Sequence, residues 1–344
     1  MNDLLNYSSA TNDTGPTGAP YHVNQTEEVI KVVTFWLIIV VGFMGNSLVI
    51  TVVKMFRSMR TTTNYLLVNV ACADITTLVF TAILFIVMKG NGPVYSRALA
   101  SFLCKFIYTN TISIITLLVT GLTLTVLALE RYNALVKPML ISRRLTINKI
   151  AYVIIGIWLV AIAMVIPLFA TLDHDPNRRS CSHGDADYEM MIYIDCLIVI
   201  LTLVPFVVIA FCYTQIIYAM YFKKAACRRK IERGHVQEET KEKRRLVTLL
   251  ILLTVVFFIA FIPYGVLLIL KVSKVHHIHV LYLQSGSQYL TLLNCSVNPF
   301  IYAFQSSSYR RAFKLIIKKM LCRDVTYELS ELLEMRTRTS VRSV

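Results

Sequence analysis

Six stretches of this chain stay apolar long enough to cross a lipid bilayer, and nothing else in the sequence restricts its fold as much. They are Val32–Val53, Tyr65–Met88, Phe102–Leu129, Ile150–Leu172, Met191–Met220 and Leu246–Leu270. A helix needs roughly 20 apolar residues to span the hydrocarbon core. A seventh stretch, Ile278–Phe304, carries more polar groups. Lipid offers no water to bond exposed peptide groups, so segments that enter it fold as helices that close their own hydrogen bonds. The expected fold is an all-α membrane protein: a seven-transmembrane helix bundle, amino terminus extracellular, plus an amphipathic eighth helix. Composition agrees, with 56% hydrophobic and 16% charged residues against roughly 45–50% and about 25% in soluble domains.

Charge placement tests the number of crossings. With the amino terminus outside, the inner segments hold 27 of the 35 lysines and arginines and the outer segments 8. That is the bias that orients membrane helices. A missing or extra crossing would move the basic block Lys223–Arg245, or the basic tail, to the wrong face. The net charge of +15 therefore belongs beside the anionic inner leaflet and implies no nucleic acid. Four regions follow: an extracellular glycosylated tail over 1–30, a seven-helix domain over 31–304, an amphipathic membrane-surface helix over 305–322 and a flexible cytoplasmic tail over 323–344.

The outer tail carries N-x-S/T sequons at Asn6, Asn12 and Asn24, expected glycosylation sites. No basic region followed by an apolar core opens the chain, so the first crossing is expected to act as its own insertion signal. Of eight cysteines, Cys104 and Cys181 alone fall at outer positions, where oxidising conditions favour pairing. Cys72, Cys196, Cys212 and Cys295 read as small packing residues, and no Cys/His spacing suggests a metal site.

Asp74 stands inside the apolar run LVNVACADITT. A carboxylate at mid-helix costs about 2.5–3.5 kcal/mol on insertion scales, so it faces the bundle interior and has partners. Asn46, Thr120, Asn294, Ser296 and Asn298 lie at similar depths, and Asn294 and Asn298 share a helix face. Such a cluster either holds a small cation or a proton, or is a static hydrogen-bond knot between helices. Prolines at 167, 205, 263 and 299 fall inside four crossings and are expected to bend them.

Several motifs stand in order along the crossings: GNSLVI at 45–50, ACAD ending at Asp74, ERY at 130–132, Trp158, Pro205 with Tyr213, FIPY at 261–264 and NPFIY at 298–302. Together they resemble the rhodopsin-like (class A) G-protein-coupled receptors over all seven helices. The phrases TTTNYLLVN and IGIWLVAIAMVIPLF are most similar to neuropeptide receptors. The resemblance implies an activation switch made of Glu130, Arg131, Tyr132, Tyr213, Phe257, Phe261, Pro263, Asn298, Pro299 and Tyr302. In it, Glu130 restrains Arg131 at rest, and Tyr213 and Tyr302 swing toward Arg131 on activation. It also implies that Asp74, Thr120, Asn294 and Asn298 form an allosteric sodium pocket; no other cofactor is implied. Phe261 stands where the family usually has tryptophan, which keeps an aromatic toggle but loses the indole donor.

An amine receptor would place an aspartate about five turns above Arg131, where this chain has Ser113 or, with a shift of register, Thr111. No lysine in the seventh crossing offers a retinal Schiff base. Asp173, Asp175, Asp185, Asp187, Glu189 and Asp195 face only Arg178 and Arg179 on the outer side. That field either attracts a cationic ligand or is simply a solvated loop. With the peptide-receptor likeness it favours a short basic or amidated neuropeptide, contacted by Asn110, Ser113, Asp187, Glu189, Tyr264, Gln284 and Gln288. The alternative ligand is a lipid or other non-amine small molecule.

On the inner side, YRRAFKLIIKKML at 309–321 alternates apolar and basic residues at helical spacing, which suits a membrane-surface helix. Cys322 at its end is either palmitoylated or a buried thiol. Arg131, Leu135, Pro138 and Met139 form the expected contact with a heterotrimeric G protein, and serines and threonines of the tail are expected substrates for receptor kinases and arrestin recruitment. A transporter or channel would show repeated halves or several intramembrane charges. An intramembrane enzyme would need a nucleophile with its base at one depth. Neither pattern is present, so the chain is expected not to be an enzyme.

Overall fold

A computed structural model describes residues 25–89, 97–103, 105–106, 111–137, 145–171, 173–175, 180–182, 188–220, 234–272 and 278–320. Seven long helices run through it: α1 Gln25–Met55, α2 Thr62–Lys89, α3 Thr111–Leu135, α4 Ile147–Thr171, α5 Tyr188–Tyr218, α6 Gly234–Val272 and α7 Ile278–Gln305. A shorter helix, α8 Ser307–Met320, follows. A seven-residue helix, Arg97–Leu103, precedes α3. The short strands β1 Asp173–Asp175 and β2 Ser180–Ser182 pair antiparallel, with His174 opposite Cys181. Among the described residues the regular structure is therefore helical apart from this small ribbon.

By length and apolarity, five helices among the described residues qualify as membrane spans: α1, α2, α3, α4 and α6. The apolar part of α5 that is described, Leu203–Tyr218, is shorter. The ring closes in sequence order: α1 packs on α2 and α7, α3 on α2, α4, α5 and α6, and α6 on α7. α3 is thus the central helix. The core runs from Val49, Val52 and Phe56 through Leu124 and Leu127 to Leu249, Leu250, Leu253 and Tyr302. The outward faces stay apolar, with Tyr152, Leu159, Val207, Ile262 and Phe304 exposed, as lipid-facing surfaces require.

Two helices, α1 and α6, start well before their apolar runs. α1 starts at Gln25, ahead of Val32, with Glu27 and Glu28 in its first turn, where acids favour the helix dipole. α6 starts at Gly234, so the basic block 223–245, read as a loop, is helical over its second half. The segment EETKEKRR is built of strong helix formers with Glu239 four residues before Lys243, a spacing that supports a helix outside the membrane.

Many threonines inside the helices are satisfied locally. Thr76, Thr77, Thr81, Thr123, Thr125, Thr254 and Thr291 each donate to the carbonyl four residues earlier, at 2.6–3.1 Å. This back-bonding hides a hydroxyl that lipid would leave unpaired. Pro167, Pro205, Pro263 and Pro299 all remain inside continuous helices.

Glycine sets the distance between α1 and α7. A Cβ added at Gly45 would lie 2.8 Å from Cγ and 3.0 Å from Cβ of Pro299, a stiff ring that cannot turn aside. Gly156 in α4 has nothing within 4 Å. Gly45→Ala should therefore destabilise the purified protein by about 1–3 kcal/mol through overpacking. Gly156→Ala should be neutral or gain up to about 1 kcal/mol of helix propensity. Thermal unfolding of the two variants checks the contrast, and equal midpoints would overturn the packing argument.

Candidate functional site

At the far end of α3 the Glu130–Arg131 pair meets the start of α2. Arg131 holds Glu130 with two nitrogens: Nε donates to Oε2 at 2.6 Å and Nη2 to Oε1 at 2.6 Å. Thr62 Oγ1 donates to Glu130 Oε1 at 3.1 Å and Thr63 Oγ1 to Oε2 at 3.4 Å. Arg131 Nη2 also donates to Thr63 Oγ1 at 2.5 Å. The side chains are only 16% and 11% exposed for Arg131 and Glu130, so the pair is screened less than a surface bridge would be. The family resemblance expects Glu130 to restrain Arg131, and the two side chains are paired here.

Neither tyrosine hydroxyl of the expected switch is hydrogen-bonded to this pair. Tyr213 is buried on α5, its hydroxyl beside Thr254. Tyr302 is fully buried, its hydroxyl has no hydrogen-bond partner, and its ring stacks 5.3 Å from that of Tyr309. Tyr309 begins α8, where Ser306 Oγ accepts from its backbone N–H at 3.4 Å. Its ring continues the stack to Phe313 at 5.7 Å, and its hydroxyl donates to Asn64 Oδ1 at 3.3 Å. Burial raises the Tyr309 phenol pKa well above its usual value, so it stays a neutral donor. Along α8, Tyr309, Phe313 and Ile316 turn inward with Ala312 and Leu315, while Ile317 stays half exposed.

Mid-bundle, Asp74 is 2% exposed and accepts from Asn298 Nδ2 at 2.8 Å, joining α2 to α7. The Cys295 thiol also lies within hydrogen-bond reach of this carboxylate. Asn46 Nδ2 donates to Cys295 O at 2.8 Å and Gly42 O at 2.9 Å, and Ser296 Oγ donates to Ile38 O at 3.0 Å, which tie α7 to α1. Thr120, Asn294 and Asn298 line a cavity with Val70, Leu124, Leu253 and Phe257. The space open to a water's centre is about 10 Å³, room for about one water or one small cation. Asn294 Oδ1 is buried with no hydrogen-bond partner. An unpaired carbonyl oxygen, a hydroxyl and a neighbouring carboxylate form an oxygen donor set of the kind that hard monovalent cations take, so the residues fit the sodium pocket the resemblance implies. Phe261 stacks on Phe257 at 4.7 Å, and Phe257 is a wall of that cavity. Phe261, the expected toggle, thus reaches the cavity through one ring.

One polar junction escaped the sequence reading. Asn69, also on α2, donates through Nδ2 to Thr123 Oγ1 at 2.8 Å and accepts from Trp158 Nε1 at 2.9 Å. It binds α2, α3 and α4 together. Asn69 lies five residues before Asp74 in the quoted run, and Trp158 is the one tryptophan of α4, so their types were visible but not their pairing.

Of the remaining predicted site residues, Ser113 is buried, Gln288 is half-buried and Leu135 packs at the edge of the core. Tyr132 approaches Phe211 at 6.1 Å, and Pro299 sits against Gly45. Glu189, Tyr264 and Gln284 are placed on α5, α6 and α7, but their side chains lie outside the described ones. Asn6, Asn12, Asn24, Cys104, Asn110, Pro138, Met139, Asp187 and Cys322 lie outside the described residues, and with them the Cys104–Cys181 pairing. Among the described residues no cluster of three His, Cys, Asp or Glu side chains could hold a metal.

Asn69→Ala removes the acceptor of a buried indole N–H, whereas Thr123 keeps its bond to Val119 O. The variant should lose about 1–3 kcal/mol of stability. Trp158→Phe should not add its full cost on top, because both changes break one bond. A double-mutant cycle by thermal unfolding reads the coupling, and strict additivity would refute the junction.

Comparison with known proteins places these features. The pattern of the 7 transmembrane receptor (rhodopsin family) matches residues 45–302, from the glycine of GNSLVI to the tyrosine of NPFIY. Galanin receptor type 1 of Rattus norvegicus is 31% identical over 326 residues, covering 87% of this chain and 85% of the receptor. The substance-P receptor of Rattus norvegicus is 26% identical, over 83% of this chain and 70% of its own. The tachykinin-like peptides receptor 86C of Drosophila melanogaster is 25% identical over 87% of this chain and 60% of its own. A family pattern that spans the bundle from α1 to α7, and relatives that cover most of the chain, carry one conclusion: this protein belongs to the rhodopsin family of seven-transmembrane receptors.

Proposed function

We propose that this protein is a multi-pass receptor of the plasma membrane that binds an extracellular peptide and activates heterotrimeric G proteins. The observation that carries the reading is the restrained Glu130–Arg131 pair at one end of the bundle, in a chain whose relatives are galanin, substance-P and tachykinin-like peptide receptors. The positive-inside bias supports an extracellular amino terminus, which turns Arg131 and α8 toward the cytoplasm. The ligand is a short basic or amidated neuropeptide, favoured by the acidic residues of the segment 173–195. G-protein contact falls to Arg131, Leu135, Pro138 and Met139 once the pair opens, and the tail beyond α8 serves receptor kinases and arrestin. The basic residues of α8, Arg310, Arg311, Lys314, Lys318 and Lys319, rest on anionic lipid.

Asp74, Thr120, Asn294 and Asn298 would hold an allosteric sodium ion. The ion would supply a positive charge beside the Asp74 carboxylate and favour the conformation that has the cavity. Melting of the purified receptor in sodium chloride should then occur at a higher temperature than in choline chloride of the same ionic strength. Asp74→Asn should erase that difference. An equal midpoint for the native chain in both salts would refute the sodium assignment.

The ligand class is tested in cells that express this chain with a G-protein reporter, using tissue extract fractions before and after protease digestion. Arg131→Ala cells supply the background. A response abolished by protease is the expected result. A protease-resistant response would replace the peptide with a lipid or other small molecule.

A further inference from the structure

The stretch TTTN at 61–64 entered the sequence reading only as part of a family likeness, yet each of its residues has a separate task in the structure. Thr61 Oγ1 accepts from the backbone N–H of Asn64 at 3.2 Å and so caps α2. Asn64 is fixed at both ends of its amide: Nδ2 donates to Met59 O at 2.7 Å, and Oδ1 accepts from Tyr309 of α8. Between these anchors Thr62 and Thr63 point at the Glu130–Arg131 pair.

We infer that Thr62 and Thr63 are positioning residues that hold Glu130 and Arg131 together at rest, so that signalling without ligand is limited by α2. The inference rests on the receptor reading above. A carboxylate can accept about four hydrogen bonds. Arg131 supplies two of them, and the threonine hydroxyls complete one on each oxygen. Thr63 is the more telling residue, because its hydroxyl donates to the acid and accepts from the arginine. It therefore bonds only when both partners lie in this geometry, and opening the pair breaks both of its contacts at once. Thr63 is 4% exposed, so water does not readily take the hydroxyl's place. The amino-terminal end of α2 adds the partial positive charge of its dipole, which favours a nearby carboxylate.

The side chains that α6 sends into the core near this end, Val247, Leu249, Leu250 and Leu253, are apolar. The one salt bridge described for Arg131 is to Glu130. The clamp thus sits on a helix whose start is capped and tied to α8, so it stays in place while its neighbours move.

The test is ligand-free GDP–GTP exchange on a panel of purified G-protein heterotrimers, with the full-length receptor in lipid nanodiscs. Rates are normalised to folded receptor by thermal melting. Thr62→Ala with Thr63→Ala should raise basal exchange at least threefold. The serine pair, which restores both hydroxyls, should bring it back. Arg131→Ala added to the alanine pair should abolish the rise, which shows that the exchange passes through the receptor's own arginine, while recovery in the serine pair separates the clamp from a structural loosening of α2. Glu130→Gln, which neutralises the carboxylate itself, is the positive control. Unchanged exchange in the alanine pair beside a raised Glu130→Gln would overturn the clamp. No exchange by any variant on any heterotrimer would overturn the receptor reading, and the inference with it.

Discussion

A polar group inside a bilayer has no water to fall back on, so it must find its partner within the protein, and the arrangement of this molecule follows from that requirement. Backbone groups meet it by forming helices, and most intrahelical threonines meet it by bonding the preceding turn. Asparagine and aspartate cannot satisfy all their groups in this way. Asn46, Asn69, Asp74 and Asn298 therefore reach across to other helices. Where they reach sets which faces meet.

Most of these contacts begin on α2. Thr62 and Thr63 grip α3, Asn64 holds α8, Asn69 joins α3 and α4, Asp74 holds α7, and Thr77 meets Thr116 of α3 at 2.7 Å. An interhelical hydrogen bond in a membrane averages only about 0.6 kcal/mol, so none of them alone holds the bundle together. Close packing supplies the cohesion, as Gly45 against Pro299 illustrates. The polar contacts choose among packings that would bury similar apolar surface.

These contacts differ in how open they were to inspection of the sequence. The buried carboxylate was legible, because Asp74 interrupts an apolar run and the cost of burying it demands partners. Asn294 and Asn298 were legible as a pair through their spacing of four, and the structure separates their roles: Asn298 binds Asp74, while Asn294 turns an unpaired oxygen toward the cavity. Ser296 was grouped with them by depth, but it faces α1 instead. A step of two residues turns a helix by a little more than half a circle, so depth alone misplaced it. The helical start of α6 was missed because basic residues outside a membrane look the same in a loop and in a helix.

The sequence alone determined the number of crossings and their helical form, and its charge asymmetry favoured an orientation. Those properties depend on the length of apolar runs and the count of lysines and arginines, which are additive along the chain. The tertiary structure decided who touches whom: that Trp158 bonds Asn69, that Phe257 lies between Phe261 and the cavity, and that Thr62 and Thr63 bond the Glu130–Arg131 pair. Each of those contacts joins residues on different helices, often far apart in sequence. Only packing fixes the rotation and depth of each helix, so such contacts have no local signature in the chain.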